Sequence, residues 1–450
     1  MIWSSASAGP TNTLLPAGGC TLLPRATMYA PRMLAAVAQE SQQRCRFCTR
    51  ARAPRSQSAG WREVRRSISS NASPAWHHTR SISTSHLPRA PLAPAEIAPS
   101  KRVIFSGIQP TGVPQLGNYL GALQNWVKLQ DSQRAQDEMY LSIVGLHALT
   151  VPQKAAQLRQ EKWDMLAAIL AIGIHPDKTV VFFQEDMPQH LELAWILACC
   201  TSMGKLNRMT TWKGKLAALQ SASESGEATI TSSEASSLNL GLFSYPVLQA
   251  ADILLYKATH VPVGEDQVQH LELARDLAET FNRHHATGQR YFAPPAHLIT
   301  PTKRVLSLRD ATQKMSKSST DINSRILLTD EPEAIRKKLK GAVTDSERRI
   351  SFDPEARRGV SNLLRICAAL DESRDAHGWA ELVNERGGGS GMLKSVTGDV
   401  VLAKLEGVQK EIKRIKGDKA YLEKVARDGA ARARERAERT MREVREMVGF

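Results

Sequence analysis

One stretch, residues 103–126, restricts the possible folds of this chain more than any other. Residues 103–105 form a short apolar run with a β-branched start, which predicts a buried strand. Residues 109–112 have turn chemistry, because proline fixes φ and glycine tolerates a positive φ. From Leu116 to Trp126 the apolar residues recur at helical spacing. A strand, a glycine turn and a helix can together bind an anion, although an ordinary βα turn explains the same residues. Neither the P-loop pattern nor G-x-G-x-x-G is present.

Further strands alternate with helices along the chain. The sequence predicts strands at 139–144, 179–184, 261–263 and 304–308, and helices at 154–172, 190–203, 242–256 and 268–281. This alternation predicts a Rossmann-like α/β fold with a mostly parallel sheet. Ligands of such sheets bind at the carboxyl ends of the strands. The residues that follow the strands are therefore site candidates: Gly107, Gln109, His147 and Gln184.

Three polar features stand out from their surroundings. Asp252 lies in an apolar helical run, and a buried acid needs either a structural donor or a ligand donor. The segment 264–266 repeats the order strand, glycine, helix start; its two acids suit a helix cap, or Asp266 could accept the hydroxyl protons of a ribose. Lys314 and Lys317, in a polar loop with two serines, are either solvated surface residues or a clamp for a polyphosphate.

Residues 1–100 have the composition of a targeting segment. They contain twelve arginines, no lysine and three glutamates, and thus carry +9 of the net charge of +15. Arginine-rich, serine-rich sequence that is nearly free of acids is typical of a mitochondrial transit peptide, and a disordered basic tail has the same composition. We expect a leader that directs the protein to the mitochondrial matrix, followed by a folded part that is only mildly basic.

The predicted strands stop near residue 330. Helices are predicted at 333–340, 354–371, 377–385 and from about 392, with a glycine-rich joint at 387–391. The Ser-rich tract at 221–237 predicts a mobile surface loop. No apolar run approaches the roughly 18 residues of a membrane span, so no membrane association is expected. Cys45 and Cys48 form a lone C-x-x-C pair, so no metal site is predicted.

Taken together and in this order, these segments resemble class I aminoacyl-tRNA synthetases. Residues 115–118 (Gln-Leu-Gly-Asn) stand at the place of the family's His-Ile-Gly-His signature, and residues 314–318 match its second signature, Lys-Met-Ser-Lys-Ser, without a mismatch. Further stretches resemble the tryptophanyl-tRNA synthetases in particular, and these lie at 105–112, 117–121, 250–256, 264–270 and 342–346.

The resemblance implies activation of L-tryptophan by ATP, with Mg²⁺ on the phosphates, and transfer to tRNA(Trp) by a homodimer. It implies that Asp252 accepts the indole N–H of tryptophan. The other implied tryptophan-binding residues are His147, Gln267, Phe105, Gly107, Val144, Val261 and Val263. The implied ATP-binding residues are Gln109, Pro110, Thr111, Gly117, Asn118, Gly264, Glu265, Asp266, Val305, Lys314, Met315, Ser316, Lys317 and Ser318. The implied catalytic residues are Lys314, Lys317, Ser316, Asn118, Lys213 and Lys215.

The same resemblance divides the chain into a leader (1–100), a Rossmann-type catalytic domain with a mobile loop at 213–240 (101–329), and an all-helical anticodon-binding domain (330–450). Two positions depart from the family pattern. Gln115 replaces the first signature histidine, although its amide can still donate to a phosphate oxygen, and Gln249 stands where bacterial relatives tend to have methionine.

Two other readings stay open. A mitochondrial tyrosyl-tRNA synthetase would share the sheet and both signatures, but Asp252 and the segment 264–267 favour tryptophan. A non-catalytic RNA-binding relative would keep the scaffold, but it would not need the intact lysine loop at 314–318.

Overall fold

Five short parallel strands form the sheet of the α/β part. They lie in the order β3-β2-β1-β4-β5, with the bounds β1 (Val103–Ile108), β2 (Glu138–Ile143), β3 (Val180–Phe183), β4 (His260–Val263) and β5 (Ala296–Ile299). The chain adds strands first on one side of β1 and then on the other, so the loops that follow the central strands meet at one edge. This order confirms the predicted Rossmann-like fold.

The computed structural model describes residues 101–216, 238–264, 267–286, 290–299, 304–317 and 319–450. The predicted leader and the Ser-rich tract lie outside these ranges, as do the predicted site residues Glu265, Asp266 and Ser318. Among the described residues, no helix combines the length and the apolar character needed to cross a membrane.

One predicted strand was wrong. The segment 304–308 contributes only an isolated antiparallel bridge between Leu306 and Lys314, and the sheet takes its fifth strand from Ala296–Ile299 instead. The physical reason is local pairing. The N–H of Met315 donates to the carbonyl of Val305 at 3.0 Å, so this apolar segment pairs with the loop that follows it rather than with β4.

The helices of the α/β part follow the predicted alternation. A π-helical turn, Tyr119–Leu123, joins the first two of them. In chain order they are α1 (Leu116–Asn118), α2 (Gln124–Asp131), α3 (Gly145–Ala148), α4 (Ala155–Ala171), α5 (Gln189–Cys199), α6 (Met203–Asn207), α7 (Leu240–Leu255) and α8 (Val268–His285).

From residue 330 onward the described chain is helical, as predicted. The helices are α9 (Pro332–Lys340), α10 (Arg358–Leu370), α11 (Ala376–Glu385), α12 (Gly389–Gly417) and α13 (Lys419–Val448). Three consecutive glycines, 387–389, have positive φ values of 104°, 68° and 84° and form the turn between α11 and α12. One face of α12 lies at the centre of this bundle. Its buried residues are Val401, Leu405, Ile412 and Ile415, and with half-buried Val408 they follow a 4-3-4-3 spacing.

Helix α13 packs against strand β3, which lies at the edge of the described sheet. A Cβ atom on Gly429 would overlap the backbone carbonyl oxygen of Val181. Two arginines hold the helix further: Arg432 donates to the carbonyl of Pro176 at 2.6 Å, and Arg445 pairs with Glu192 at 2.7 Å. Because α13 lies so close to the backbone of β3 at Val181, position 429 requires glycine.

We expect Gly429→Ala to lower the free energy of unfolding by about 1–3 kcal/mol, because the new methyl group must push α13 away from β3. Gly407→Ala is the matched control: this helical glycine on α12 has no atom within 4 Å of an added Cβ. It should gain about 0.5–1 kcal/mol from lower chain entropy. Urea denaturation of the full-length variants measures both, and equal stabilities would refute the packing argument.

Candidate active site

Polar side chains are buried where the first three strands end. Gln109 follows β1, His147 follows β2 within the short helix α3, and Gln184 follows β3. Gln109 is 2% exposed, and the other two side chains are fully buried. The N–H of Val144 donates to the carbonyl of Ile108 at 2.9 Å, which extends the β1–β2 pairing to this edge. Three polar side chains are therefore buried at the carboxyl edge of the sheet.

Asp252, in the last turn of α7, is the acceptor for this group. Gln184 Nε2 donates to both carboxylate oxygens, at 2.8 and 2.9 Å. His190 Nδ1 lies 2.6 Å from Oδ1, and His147 Nε2 lies 2.9 Å from Oδ2. All four side chains have no solvent exposure. A buried carboxylate is thus held by three side chains that come from three different segments.

The electrostatics of this cluster favour an ionised acid. Burial by itself raises the pKa of Asp252, but the electrostatic interaction with His190 and the hydrogen bonds to His147 and His190 outweigh burial and hold the pKa below its usual value. An ionised carboxylate has about four acceptor positions. Gln184, His190 and His147 already make four contacts with the two oxygens, two on each, so a further N–H group would take the place of one of these contacts.

Aromatic rings pack behind the carboxylate. His190 Nε2 lies 3.0 Å from the Tyr256 hydroxyl, so His190 bridges Asp252 and Tyr256. The Tyr256 ring stacks on Phe105 at 5.3 Å and on Tyr140 at 4.7 Å between centroids. Burial, and then the Asp252 charge, raise the pKa of Tyr256 well above its ordinary value, so its hydroxyl keeps its proton. These rings fix the orientation of the imidazole that holds the carboxylate.

A second buried network lies at the start of α8. Gln267 Oε1 lies 2.6 Å from His270 Nδ1 and accepts from Gln249 Nε2 at 3.4 Å. His270 Nε2 lies within hydrogen-bond distance of Thr211 Oγ1 (2.7 Å) and Tyr245 Oη (3.1 Å). The network therefore connects the helix after β4 to the segment that carries Lys213 and Lys215.

The turn after β1 contacts the lysine loop. Lys317 Nζ donates to the backbone carbonyls of Thr111 and Gly112, both at 2.9 Å. Gln115 Nε2 donates to the carbonyl of Met315 at 2.7 Å. An ammonium group and a glycine turn at the carboxyl edge of a sheet can together bind an anion such as a phosphate.

Comparison with known proteins agrees with this geometry. The family model for class I tRNA synthetases (W and Y) matches residues 99–397. The chain belongs to this family. The mitochondrial tryptophan–tRNA ligase of Saccharomyces cerevisiae is 42% identical over 79% of this chain and 93% of its own length. That of Schizosaccharomyces pombe is 41% identical over 79% of this chain and 97% of its own length.

A solved structure of tryptophanyl-tRNA synthetase from Campylobacter jejuni, complexed with ADP and tryptophan, is also similar. It is 31% identical, covers 78% of this chain and 100% of its own, and aligns with a TM-score of 0.63. The likeness extends over the α/β part and the helical part, as the resemblance of the motifs predicted. Residues 1–98, nearly all of the predicted leader, lie outside the matched family model.

The two synthetase signatures lie side by side in this member of the family. A Cβ on Gly117 would lie 3.7 Å from the Cβ atoms of Val305 and Met315, both of which are buried. Asn118 Oδ1 accepts the backbone N–H of Gln115 at 3.2 Å, which fixes the start of α1. The backbone of Lys314 forms an isolated antiparallel β-bridge with Leu306, and Ser316 is half-buried. Pro110 is buried in the turn.

The remaining predicted residues lie in two places. Phe105, Val144, Val261 and Val263 are buried at or near the strand ends, with Gly107 in register with Ser142, and Gly264 accepts the N–H of Gln267 at 2.9 Å. Lys215 lies over the Tyr245 ring at 4.0 Å, and Lys213 lies over Trp212 at 5.5 Å. These contacts place both lysines against aromatic rings.

Two members of the acid cluster were missed from the predicted site residues. Gln184 was noted only as a strand end, and His190 was assigned only to a helix. The signal was available for Gln184, because its position after β3 matches that of His147 after β2. For Tyr256 the spacing of four from Asp252 places both on one helix face, whereas nothing in the sequence pairs His190 with that face.

Lys317 has an unusual titration for a lysine. Burial lowers its pKa to about 7; the nearby Glu161 carboxylate opposes this only in part, and Arg325 adds to it. Between about pH 7 and pH 10 the unfolded chain therefore binds a proton at this lysine that the folded protein lacks. Below pH 7 the folded protein bears the full free-energy cost of burying the charged lysine. This cost decreases as the pH rises towards 10.

We expect this titration to appear in the stability of Lys317→Met. From pH 6 to pH 9 the free energy of unfolding of the wild type should rise relative to the variant by on the order of 1 kcal/mol. Urea denaturation at pH 6, 7.5 and 9 measures the difference. Exposed Lys337→Met is the control, and its difference from the wild type should stay constant. A constant difference for Lys317→Met as well would contradict the assigned titration.

Proposed function

We propose that this protein activates L-tryptophan with ATP and transfers it to tRNA(Trp) for mitochondrial translation. The observation that carries the proposal is the ionised, fully buried carboxylate of Asp252 at the carboxyl edge of the sheet. Membership of the W and Y family, and the two mitochondrial ligases that it resembles, support it. The Campylobacter jejuni protein, whose structure contains ADP and tryptophan, supports both ligands.

The acid cluster suits an indole better than a phenol. An indole presents an N–H that only donates, and an ionised carboxylate only accepts. We assign Asp252 as the acceptor of the indole N–H, which would replace one of its present donor contacts, with His147 and Gln267 at the ring. An analogue that displaced a donor without supplying an N–H would leave the buried carboxylate with one hydrogen bond fewer. Sites of this kind reject such analogues by about 10⁴–10⁵-fold. Phenylalanine has no such donor, and tyrosine has none at that place.

The nucleotide is assigned to the turn after β1 and the lysine loop. A tryptophan carboxylate oxygen attacks the α-phosphorus of ATP, the new P–O bond forms, and the bond to pyrophosphate breaks. The nucleophile is already ionised, so no residue has to act as a general base. Catalysis then depends on positioning and on stabilising the charge of the leaving group. Lys314 and Lys317 supply positive charge, once Lys317 exchanges the carbonyls of Thr111 and Gly112 for phosphate oxygens.

Mg²⁺ fits this scheme only as a companion of ATP. Within the described residues no cluster of three His, Cys, Asp or Glu side chains could hold a metal ion. Mg²⁺ commonly keeps several waters and binds through substrate phosphates. We therefore assign it to the phosphate oxygens, and we assign its charge stabilisation to the departing pyrophosphate.

We propose that residues 101–329 form the catalytic domain and that the helices of 330–450 read the anticodon. The all-helical character of α9–α13 supports the second assignment. Changing the anticodon of a tRNA(Trp) transcript should reduce charging without affecting adenylate formation. Equal charging of both transcripts would contradict the assignment of the helices to anticodon reading.

Tryptophan-dependent ATP–pyrophosphate exchange by the full-length protein tests the proposed function. The wild type should exchange with tryptophan and not with tyrosine. Asp252→Ala should raise the KM for tryptophan by at least about tenfold, because the donor loses its acceptor, and should weaken discrimination against phenylalanine. Asp375→Ala, an exposed acid at the start of α11, is the control. Exchange that responds to tyrosine instead would refute the assignment to tryptophan.

We further propose a homodimer that buries one face of α5. Leu191 and Trp195, four residues apart on this helix, are 52% and 72% exposed, and Cys199 continues the same face. Large apolar side chains in a row on one face are typical of a protein interface. The opposite side of α5 carries His190, so the interface would also brace the helix that holds Asp252.

Trp195→Glu should therefore shift the mass in solution from dimer to monomer, measured by light scattering after size exclusion. A charge placed in a buried apolar interface lacks a partner and opposes association. Phe450→Glu changes a C-terminal aromatic residue that is 83% exposed, and it should leave the mass unchanged. A monomeric wild type, or a dimeric Trp195→Glu, would count against this surface.

We assign the protein to the mitochondrial matrix, where its proposed tRNA substrate is used. The arginine-rich composition of residues 1–100 supports import, as do the mitochondrial relatives. A fluorescent reporter fused to residues 1–100 should accumulate in the matrix. A reporter that stays in the cytosol would disprove the targeting role.

A further inference from the structure

Gln115 stands where the family signature begins, and its side chain is turned towards the other signature. It is 3% exposed, and its Nε2 donates to the backbone carbonyl of Met315 at 2.7 Å. We propose that Gln115 is a positioning residue that holds the 314–317 loop in place for phosphate binding. This inference rests on the proposed function and adds a residue that acts on the nucleotide through the loop.

Met315 is fixed on both sides of its backbone. Its carbonyl accepts from Gln115, and its N–H donates to the carbonyl of Val305 at 3.0 Å. Its own side chain is fully buried. Because Met315 lies two residues before Lys317, a fixed Met315 sets the point from which the Lys317 ammonium group reaches its partners.

The contacts of Lys317 show why such a fixed point matters. Its ammonium group donates to the carbonyls of Thr111 and Gly112, on the turn after β1. To bind a phosphate, Lys317 must exchange these acceptors and move. The backbone of Gln115 is itself bonded to Asn118 Oδ1, and Leu116 N–H donates to the Ile326 carbonyl at 2.8 Å. Gln115 therefore belongs to a rigid segment and can hold the base of the loop while the lysine changes partners.

A direct role is the alternative. An amide nitrogen carries two hydrogens, and the bond to Met315 uses one of them. If the second hydrogen contacted ATP itself, loss of Gln115 would lower kcat both in the presence and in the absence of Lys317. If Gln115 acts through the loop, its loss matters only while Lys317 is present. A double-mutant cycle separates the two roles.

The experiment uses full-length protein and tryptophan-dependent ATP–pyrophosphate exchange. Gln115→Met keeps the side-chain length and removes the donor. Alone, it should lower kcat on the order of tenfold to 100-fold with little change in the KM for tryptophan, since a displaced group costs about this much. In a Lys317→Ala background the same substitution should cost less than about twofold.

A second variant protects the test against a folding defect. Gln115→His restores a ring N–H at this position and should recover most of the lost kcat, and thermal unfolding of each variant checks the fold. Losses that multiply fully in the double variant would overturn the proposal in favour of direct contact with ATP. An unchanged kcat in Gln115→Met would also overturn it. A wild type without tryptophan-dependent exchange would instead refute the proposed function.

Discussion

The fold is built around one costly feature, a carboxylate with no contact with water. Asp252 lies on an otherwise apolar helix, and such a charge is stable only when it is paired and hydrogen-bonded. Its three donors come from the ends of β2 and β3 and from the first turn of α5. The strand order brings these ends together, so the sheet topology is what makes the buried charge tolerable. An acceptor held this rigidly selects ligands by their donors rather than by size alone.

The side of the site proposed for the nucleotide follows a different principle. There, backbone groups of Thr111, Gly112, Val305 and Met315 provide contacts of the lysine loop. Backbone carbonyls are weaker partners for an ammonium group than phosphate oxygens are, because phosphates carry a charge. In the proposed function Lys317 exchanges them for phosphate oxygens, and burial, which lowers its pKa, does not favour the charged form in its present surroundings. The acid cluster is thus held by side chains, whereas Lys317 is held by backbone carbonyls that it could exchange in the proposed function.

Sequence patterns predicted the sheet and part of the site, for reasons that are clear in the structure. Strand ends are readable from apolar runs, so His147 and Gln184 could be expected at one edge. The partnership of His190 with Asp252 could not be predicted, because it depends on how α5 is rotated against α7. The false strand at 304–308 has a related cause, since an apolar run does not reveal its pairing partner. Asp252 itself was found because an acid in an apolar helix has few explanations.

The last helix connects the two parts of the chain directly behind the acid cluster. Arg436 Nη2 donates to the backbone carbonyl of Tyr256 at 3.3 Å. Glu438 accepts from Gln189 at 2.9 Å, the residue that precedes His190 on α5. Helix α13 thus holds both the helix that supplies the His190 imidazole and the end of the helix that supplies the carboxylate. A displacement of either helix would lengthen the 2.6 Å contact between His190 and Asp252. The geometry of the acid cluster therefore depends on α13, which begins more than 160 residues after Asp252 in the chain. The α/β part is therefore complete only with the C-terminal helix in place.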